Sequence, residues 1–331
     1  MNKNTKILLG VFVVLLGIYL LFFRSSDKIQ SDKLDDRLFS ADSTKIEKIE
    51  LFRTGDSITF EKVNNQWMIT KPVNYPADTG AVYQMLSNLK NFRVEGVASD
   101  KADKFNTFLD SVNHTVITVY QEGKALGTFE IGKMAVSQEN SYIKKPGDNK
   151  VLLASNITAA NFNKTLTQFR FKYITGITTP GIKSIVFKST DSNKVDFELK
   201  QDSAAHWSIG PDSVQHAYVD AFVNALGNMN AEDFKDTTMT TFPPAIYTIT
   251  VNGTQPLTIN FYKENGTPTH YIMQVSGIKQ LFRCSDATIP QWCKKKTDFI
   301  PPPPPKQETP KEQPKKDDTK KDTKKDTKTK K

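Results

Sequence analysis

The chain has 331 residues, 37% of them apolar, with 45 Lys and Arg against 36 Asp and Glu. That is enough length for two ordinary domains and enough apolar content for a core in each. The formal charge of +9 comes mostly from residues 294–331, so the rest is close to neutral and argues against nucleic-acid binding by the folded part.

Residues 1–6 form a short basic tail, read as cytoplasmic. Residues 7–23 follow as an uncharged run of seventeen. That is at the short end for a membrane-spanning helix and longer than a typical signal-peptide core. The sequence Leu21-Phe22-Phe23-Arg24-Ser25-Ser26 lacks small cleavage residues, and no Cys lies beside it for lipid attachment. The run predicts an uncleaved, single-pass signal anchor through the lipid bilayer of the inner membrane, with removal of the segment as the alternative. A six-residue tail is easily left inside, so the expectation is export of the domains beyond a juxtamembrane linker, residues 24–43.

Residues 44–174 read as a first repeat domain and residues 182–300 as a second, joined by a linker at 175–181. In the first, Ile46, Ile49 and Leu51 lead through Gly55-Asp56 to Ile58, Phe60 and Val63, and Asn64-Asn65 precedes Trp67-Met68-Ile69. Alternation and turn residues predict three strands. Asp78 starts a helix with the stripe Val82, Met85, Leu86 and Leu89. Strands follow at 116–120, 127–131, 141–144 and 150–153. The second half repeats the order. Ile182, Ile185 and Phe187 lead to Val195, Phe197 and Leu199, then to Trp207-Ser208-Ile209. Ser213 starts a helix with Val219, Phe222, Val223 and Leu226, and strands follow at 246–251, 257–262, 270–275 and 279–282. Asn252-Gly253 and Asn265-Gly266 read as hairpin turns. Asn156 and Asp286 read as caps of short helices. The expected fold is α+β: two related domains, each a mainly antiparallel sheet with one or two packed helices, after an N-terminal transmembrane helix.

Residues 301–331 open with five prolines and continue as a Lys, Asp, Thr, Glu, Gln and Pro mixture. This composition cannot form a core and predicts a disordered tail.

Candidate chemistry is sparse. The four histidines, His114, His206, His216 and His270, share no metal-ligand spacing, and no nucleophile elbow or phosphate loop occurs. Asp100, Asp103 and Asp110, and then Glu232, Asp233 and Asp236, are explained by charged loop faces. Cys284 and Cys293 lie nine apart. In an exported chain a disulfide between them is one reading, and two unpaired thiols the other. Trp67 and Trp207 are candidate ligand platforms, though a strand position beside alternating Ile favours a core role. No catalytic residue, metal site or cofactor is expected. The remaining enzyme reading, a hydrolase with dispersed carboxylates, requires paired acids in a concave site.

The strand pattern around Ile46-Glu47-Lys48-Ile49, the segment Phe60-Glu61-Lys62, the run Trp67-Met68-Ile69-Thr70-Lys71-Pro72 and Ala77-Asp78 before a striped helix together resemble the bacterial family called domain of unknown function 4340. The resemblance covers most of residues 44–300. The second copy keeps Trp207 and the helix but lacks the Lys-Pro and Ala-Asp pairs. It implies a membrane-anchored envelope protein, and some such proteins resemble components beside ABC-type transporters of the gliding-motility kind. The expectation is a non-enzymatic accessory or scaffold subunit that binds a protein partner in the envelope. The alternative is an extracytoplasmic module that holds a glycan or peptide in the groove between the domains.

Overall fold

The computed structural model describes residues 38, 41–109, 114–190 and 196–300. The predicted anchor at 7–23 and the tail at 301–331 lie outside these residues. Among the described residues no helix is long and apolar enough to cross a membrane.

The first half contains β1 (Ile46–Arg53), β2 (Asp56–Val63), β3 (Gln66–Lys71), β4 (Tyr75–Pro76), α1 (Thr79–Asn91), β5 (Arg93–Ser99), α2 (Phe105–Phe108), β6 (Thr115–Gln121), β7 (Lys124–Met134), β8 (Ser141–Lys144), β9 (Val151–Ser155), α3 (Ala159–Phe162) and α4 (Leu166–Phe169). The second half contains β10 (Ile182–Ser189), β11 (Phe197–Gln201), β12 (Trp207–Ile209), β13 (Asp212–Val214), α5 (His216–Gly227), β14 (Asp233–Lys235), β15 (Tyr247–Gly253), β16 (Leu257–Glu264), β17 (His270–Val275), β18 (Leu281–Ser285) and α6 (Ile289–Trp292). The strands make two nine-stranded antiparallel sheets, so the fold is α+β. Their orders are β4-β3-β2-β1-β6-β7-β8-β9-β5 and β13-β12-β11-β10-β15-β16-β17-β18-β14. Position by position, the two orders are the same.

Local chemistry explains the hairpins. Asn64 and Asn65 both adopt positive φ, 49° and 65°, which matches the twist that a two-residue connection between β2 and β3 requires. The side chain of Asp78 accepts a hydrogen bond from the Ala81 amide at 2.7 Å, capping α1 as its position predicts. Cross-strand partners on the inner face are mostly apolar: Ile49 faces Phe60 and Val119, Ile117 faces Phe129, and Ile143 faces Ile131 and Leu152. The second sheet matches this with Phe187 facing Phe197 and Ile249, and Phe261 facing Met273. Val82, Met85 and Leu89 of α1 close the first core, and Val219, Phe222, Val223 and Leu226 of α5 close the second.

Several details differ from the sequence reading. The polar loops before the helices contain β4 and β13. Ser213 is drawn into β13 opposite Ser208, so α5 instead starts after Gln215, without a side-chain cap. Asn252-Gly253 ends β15 and is not a turn. Gly253 pairs with Ile182, and a Cβ there would lie 2.1 Å from the Gly181 carbonyl oxygen, so close strand approach is what requires the glycine. Asn156 and Asp286 do not cap: α3 starts after Thr158 and α6 after Thr288. Besides β4 and β13, the sequence reading lacks β5 and β14, the last strand in each sheet.

Candidate functional site

The most elaborate polar construction lies where the two sheets meet. The sequence Phe169-Arg170-Phe171-Lys172-Tyr173-Ile174 alternates apolar or aromatic residues with cations, and it runs as an extended segment between two sheet edges. On one side the Phe171 amide donates to the Pro76 carbonyl at 3.0 Å and the Asp78 amide to the Phe169 carbonyl at 2.7 Å. On the other, the Ile174 amide donates to Met229 at 2.9 Å and the Ala231 amide to Lys172 at 2.7 Å. The segment thereby covers backbone groups beside β4 and beside β14, edges that are otherwise open to pairing with another chain.

Arg170 sits at the centre with 1% exposure. Its Nη1 donates to Asp236 Oδ1 at 2.9 Å. Its guanidinium lies 4.5 Å from the Phe234 ring centroid and 5.5 Å from that of Tyr75, and the two rings meet edge to face at 5.2 Å. Tyr75 comes from β4 and Phe234 from β14, so one cation holds both sheets through their rings. Burial of Tyr75 raises its phenol pKa, which the nearby Arg170 charge opposes. Arg170 Nε and Nη2 find no acceptor among the described residues, a residual cost that the ring contacts offset.

The carboxylates beside it are equally committed. Asp233 Oδ1 accepts from Thr167 Oγ1 at 2.8 Å across the junction, and its other oxygen lies 3.5 Å from Arg283. Glu264 accepts from Arg283 Nε at 2.8 Å and from Lys235 Nζ at 2.6 Å. Bonding to Arg283, helped by Lys235 and opposed by partial burial, lowers its pKa to about 2. The ordinary value for this carboxylate, taken for the unfolded chain, is 4.5. Its stabilising contribution is therefore complete above pH 4.5 and is lost as pH falls toward 2. Glu264→Gln is expected to cost about 1–2 kcal/mol at pH 7, a range discounted for solvent screening. Urea unfolding at both pH values should show most of that gap gone at pH 2.5; an unchanged gap would exclude the ion cluster as its source.

Behind the junction, the linker residue Thr175 donates through Oγ1 to the Leu226 carbonyl. A Cβ at Gly227 would lie 2.3 Å from the Ile177 carbonyl oxygen, so the linker packs directly on the end of α5.

The residues singled out in the sequence fall elsewhere. Trp207 is 1% exposed within the second core, where its ring has no face open to a ligand. Trp67 is half-buried against the first core. Cys284 and Cys293 are both buried and no disulfide joins them; burial pushes the Cys284 thiol up to about 12. His206 is exposed, its Nδ1 3.3 Å from Asp202. His216 is exposed at the start of α5, His270 Nδ1 lies 2.9 Å from the Pro268 carbonyl, and His114 is half-buried before β6. Glu232 holds the β18–α6 connection by accepting from the Ser285 amide at 2.9 Å and from Thr288 Oγ1 at 3.0 Å. Asp100 and Asp103 are exposed, and Asp110 lies outside the described residues. Among the described residues, no three or more His, Cys, Asp or Glu side chains are placed to hold a metal ion. The sequence reading missed Arg170, whose signal was a cation between two aromatics in an alternating run.

Comparison with known proteins returned one family. Its model, described as a domain of unknown function, DUF4340, matches residues 67–245, a single span from Trp67 in β3 through the Arg170 junction to the residues before β15. No curated protein and no solved structure matches the chain. Since the matched span is more than half of the 331 residues, the chain belongs to the DUF4340 family.

Proposed function

We propose that this is a non-enzymatic, membrane-anchored envelope protein whose two sheets act as one rigid arm, binding a protein partner as an accessory or scaffold subunit, of the ABC-type transport or gliding-related kind. The observation that carries the reading is the Arg170 junction. A buried cation clamped by rings from both sheets, with a bridging segment bonded to each, favours a fixed relative orientation over the opening and closing of a groove. The charged groups around it are engaged with one another, an arrangement suited to holding shape. The apolar run at 7–23 supports attachment to the inner membrane with the sheets exported. The shared strand order supports descent of both halves from one duplicated unit.

The test is extraction of the full chain from native membranes with a mild detergent after brief chemical cross-linking. Specific integral membrane proteins should co-purify, and removal of residues 7–23 should release the chain to the soluble fraction. Recovery of the full chain alone from cross-linked membranes would overturn the scaffold reading.

A further inference from the structure

At the opposite end of α1 from the junction lies a cleft of about 620 Å3, within the range of small-ligand sites. Asn88 and Asn91 from α1, Gln138 and Glu139 from the β7–β8 connection, and Asn156 and Thr158 after β9 line it, with Ser87. All of these side chains are polar, none is cationic, and one is a carboxylate.

Its floor is built by Asn88. The Nδ2 of Asn88 donates to the Asn156 carbonyl at 3.1 Å, and its Oδ1 accepts from Asn161 Nδ2 at 2.9 Å and from the Thr158 amide at 3.4 Å. Fully buried Ser141 accepts from the Ala159 amide at 2.9 Å, tying the same turn to β8. Around this fixed floor, the side chains of Gln138, Glu139 and Asn156 make no hydrogen bond to another described residue. Asn91 spends its Nδ2 on Ser87 Oγ at 3.3 Å, which leaves its oxygen available. Tyr83, 71% exposed, stands one turn before Ser87, so Tyr83, Ser87 and Asn91 form one stripe of α1 leading into the cleft.

The second sheet serves as an internal control. It has the same strand order, and buried Phe222 and Leu226 of α5 occupy the places of Met85 and Leu89 in α1, which sets Ala225 where α1 has Asn88. A sheet and helix of this topology thus close without an amide bridge at that position. The matching turn after β18 is held instead by Glu232, so a fold role accounts for Asn88 but not for the unengaged side chains of Gln138, Glu139 and Asn156.

We infer that this cleft binds a neutral, hydroxyl-rich oligosaccharide. Amides offer both donors and an acceptor, and a carboxylate accepts from adjacent hydroxyls, which suits the alternating donors and acceptors of sugar rings. Absence of a cation and presence of Glu139 disfavour phosphate or sulfate groups, and the lack of an apolar wall disfavours lipid. Asn91, Gln138, Glu139 and Asn156 supply the hydrogen bonds, and Tyr83 stacks on a ring.

The test is calorimetric titration of the full chain, held in a detergent without a sugar headgroup, with chitotetraose and with cellotetraose. At least one should bind saturably, with Kd below about 1 mM. The variant Gln138→Ala/Glu139→Ala/Asn156→Gly should weaken binding at least ten-fold with an unchanged unfolding temperature; glycine suits the left-handed backbone at Asn156, φ +58°. Tyr83→Ala should weaken binding on its own. Failure of both sugars to bind, equal affinity in the triple variant, or tighter binding of a tetraglycine peptide would overturn the inference. None of these outcomes bears on partner binding through the scaffold.

Discussion

Asp236→Ala is expected to destabilise the protein more than Arg170→Met, although the two side chains form one ion pair. Arg170 is 1% exposed and Asp236 is 43% exposed. Losing Asp236 leaves a buried guanidinium without a counter-charge, a situation that costs roughly 3–5 kcal/mol in fully buried pairs. Solvent at the Asp236 side moderates this to about 2–3 kcal/mol, or a fall of about 4–12 °C in unfolding temperature. Arg170→Met removes the charge together with two nitrogens that have no acceptor among the described residues, and keeps a long apolar stem packed against Tyr75 and Phe234. It should lie within about 1 kcal/mol of the parent. Arg170→Ala empties the space beside those rings and should cost about 2–4 kcal/mol. In the double variant Arg170→Met/Asp236→Ala, the penalty of the second change should largely vanish. Thermal unfolding of the four variants checks the order. An Asp236→Ala as stable as the parent would mean that Asp236 does not balance the buried charge, and an Arg170→Met as damaged as Asp236→Ala would mean that the guanidinium itself, and not its stem, holds the clamp. Limited trypsin digestion adds a local readout: Asp236→Ala should promote cleavage after Arg170 and Lys172, which the parent restrains by backbone hydrogen bonds to both sheets.

Why that arginine escaped a reading of the sequence is a matter of distance along the chain. Elements set by neighbours were legible. Asp78 caps α1 where the apolar stripe begins, and Asn64-Asn65 turns β2 into β3. Both inner faces follow the alternation of Ile49, Leu51, Ile58 and Phe60, or of Ile185, Phe187, Phe197 and Leu199. Elements set by remote partners were not. The strand β14 is Asp233-Phe234-Lys235, one apolar residue between two charges, and locally indistinguishable from a charged loop; it becomes a strand because Phe234 pairs with Phe282 of β18. The strand β5 carries register shifts near Gly96 and Val97 that break its alternation. The run Phe169-Arg170-Phe171 contains the period of a strand, yet burial of its cation depends on Tyr75, Phe234 and Asp236. The cleft beside Asn88 was hidden for the same reason: its amides come from three separate stretches, none of which forms a motif.

Phe299→Ala is the second change with a large expected effect, and it tests whether residues 294–300 belong to the folded domain. Phe299 is 2% exposed. Its ring lies 5.6 Å from Phe187, 5.7 Å from Phe222 and 5.9 Å from Phe197, so it touches β10, α5 and β11 at once. The segment that delivers it is held by three polar contacts. The Tyr247 hydroxyl donates to the Lys294 carbonyl at 2.5 Å, the Lys295 amide to Asp298 at 2.8 Å, and Lys296 pairs with Asp212 at 2.7 Å. Truncating the ring empties the centre of an aromatic cluster that rigid strands on one side and a helix on the other cannot collapse to fill. The expected cost is about 3–5 kcal/mol, with Phe299→Leu milder because it keeps much of the volume. Tryptophan fluorescence separates the halves. Trp207 and Trp292 are buried in the second core and Trp67 packs on the first. In chains that retain either Trp207 or Trp67 alone, Phe299→Ala should shift the Trp207 transition to lower urea and move the Trp67 transition less. Equal shifts of both would show that the Arg170 clamp makes the sheets unfold as one unit, and no shift in either would remove residues 294–300 from the folded domain.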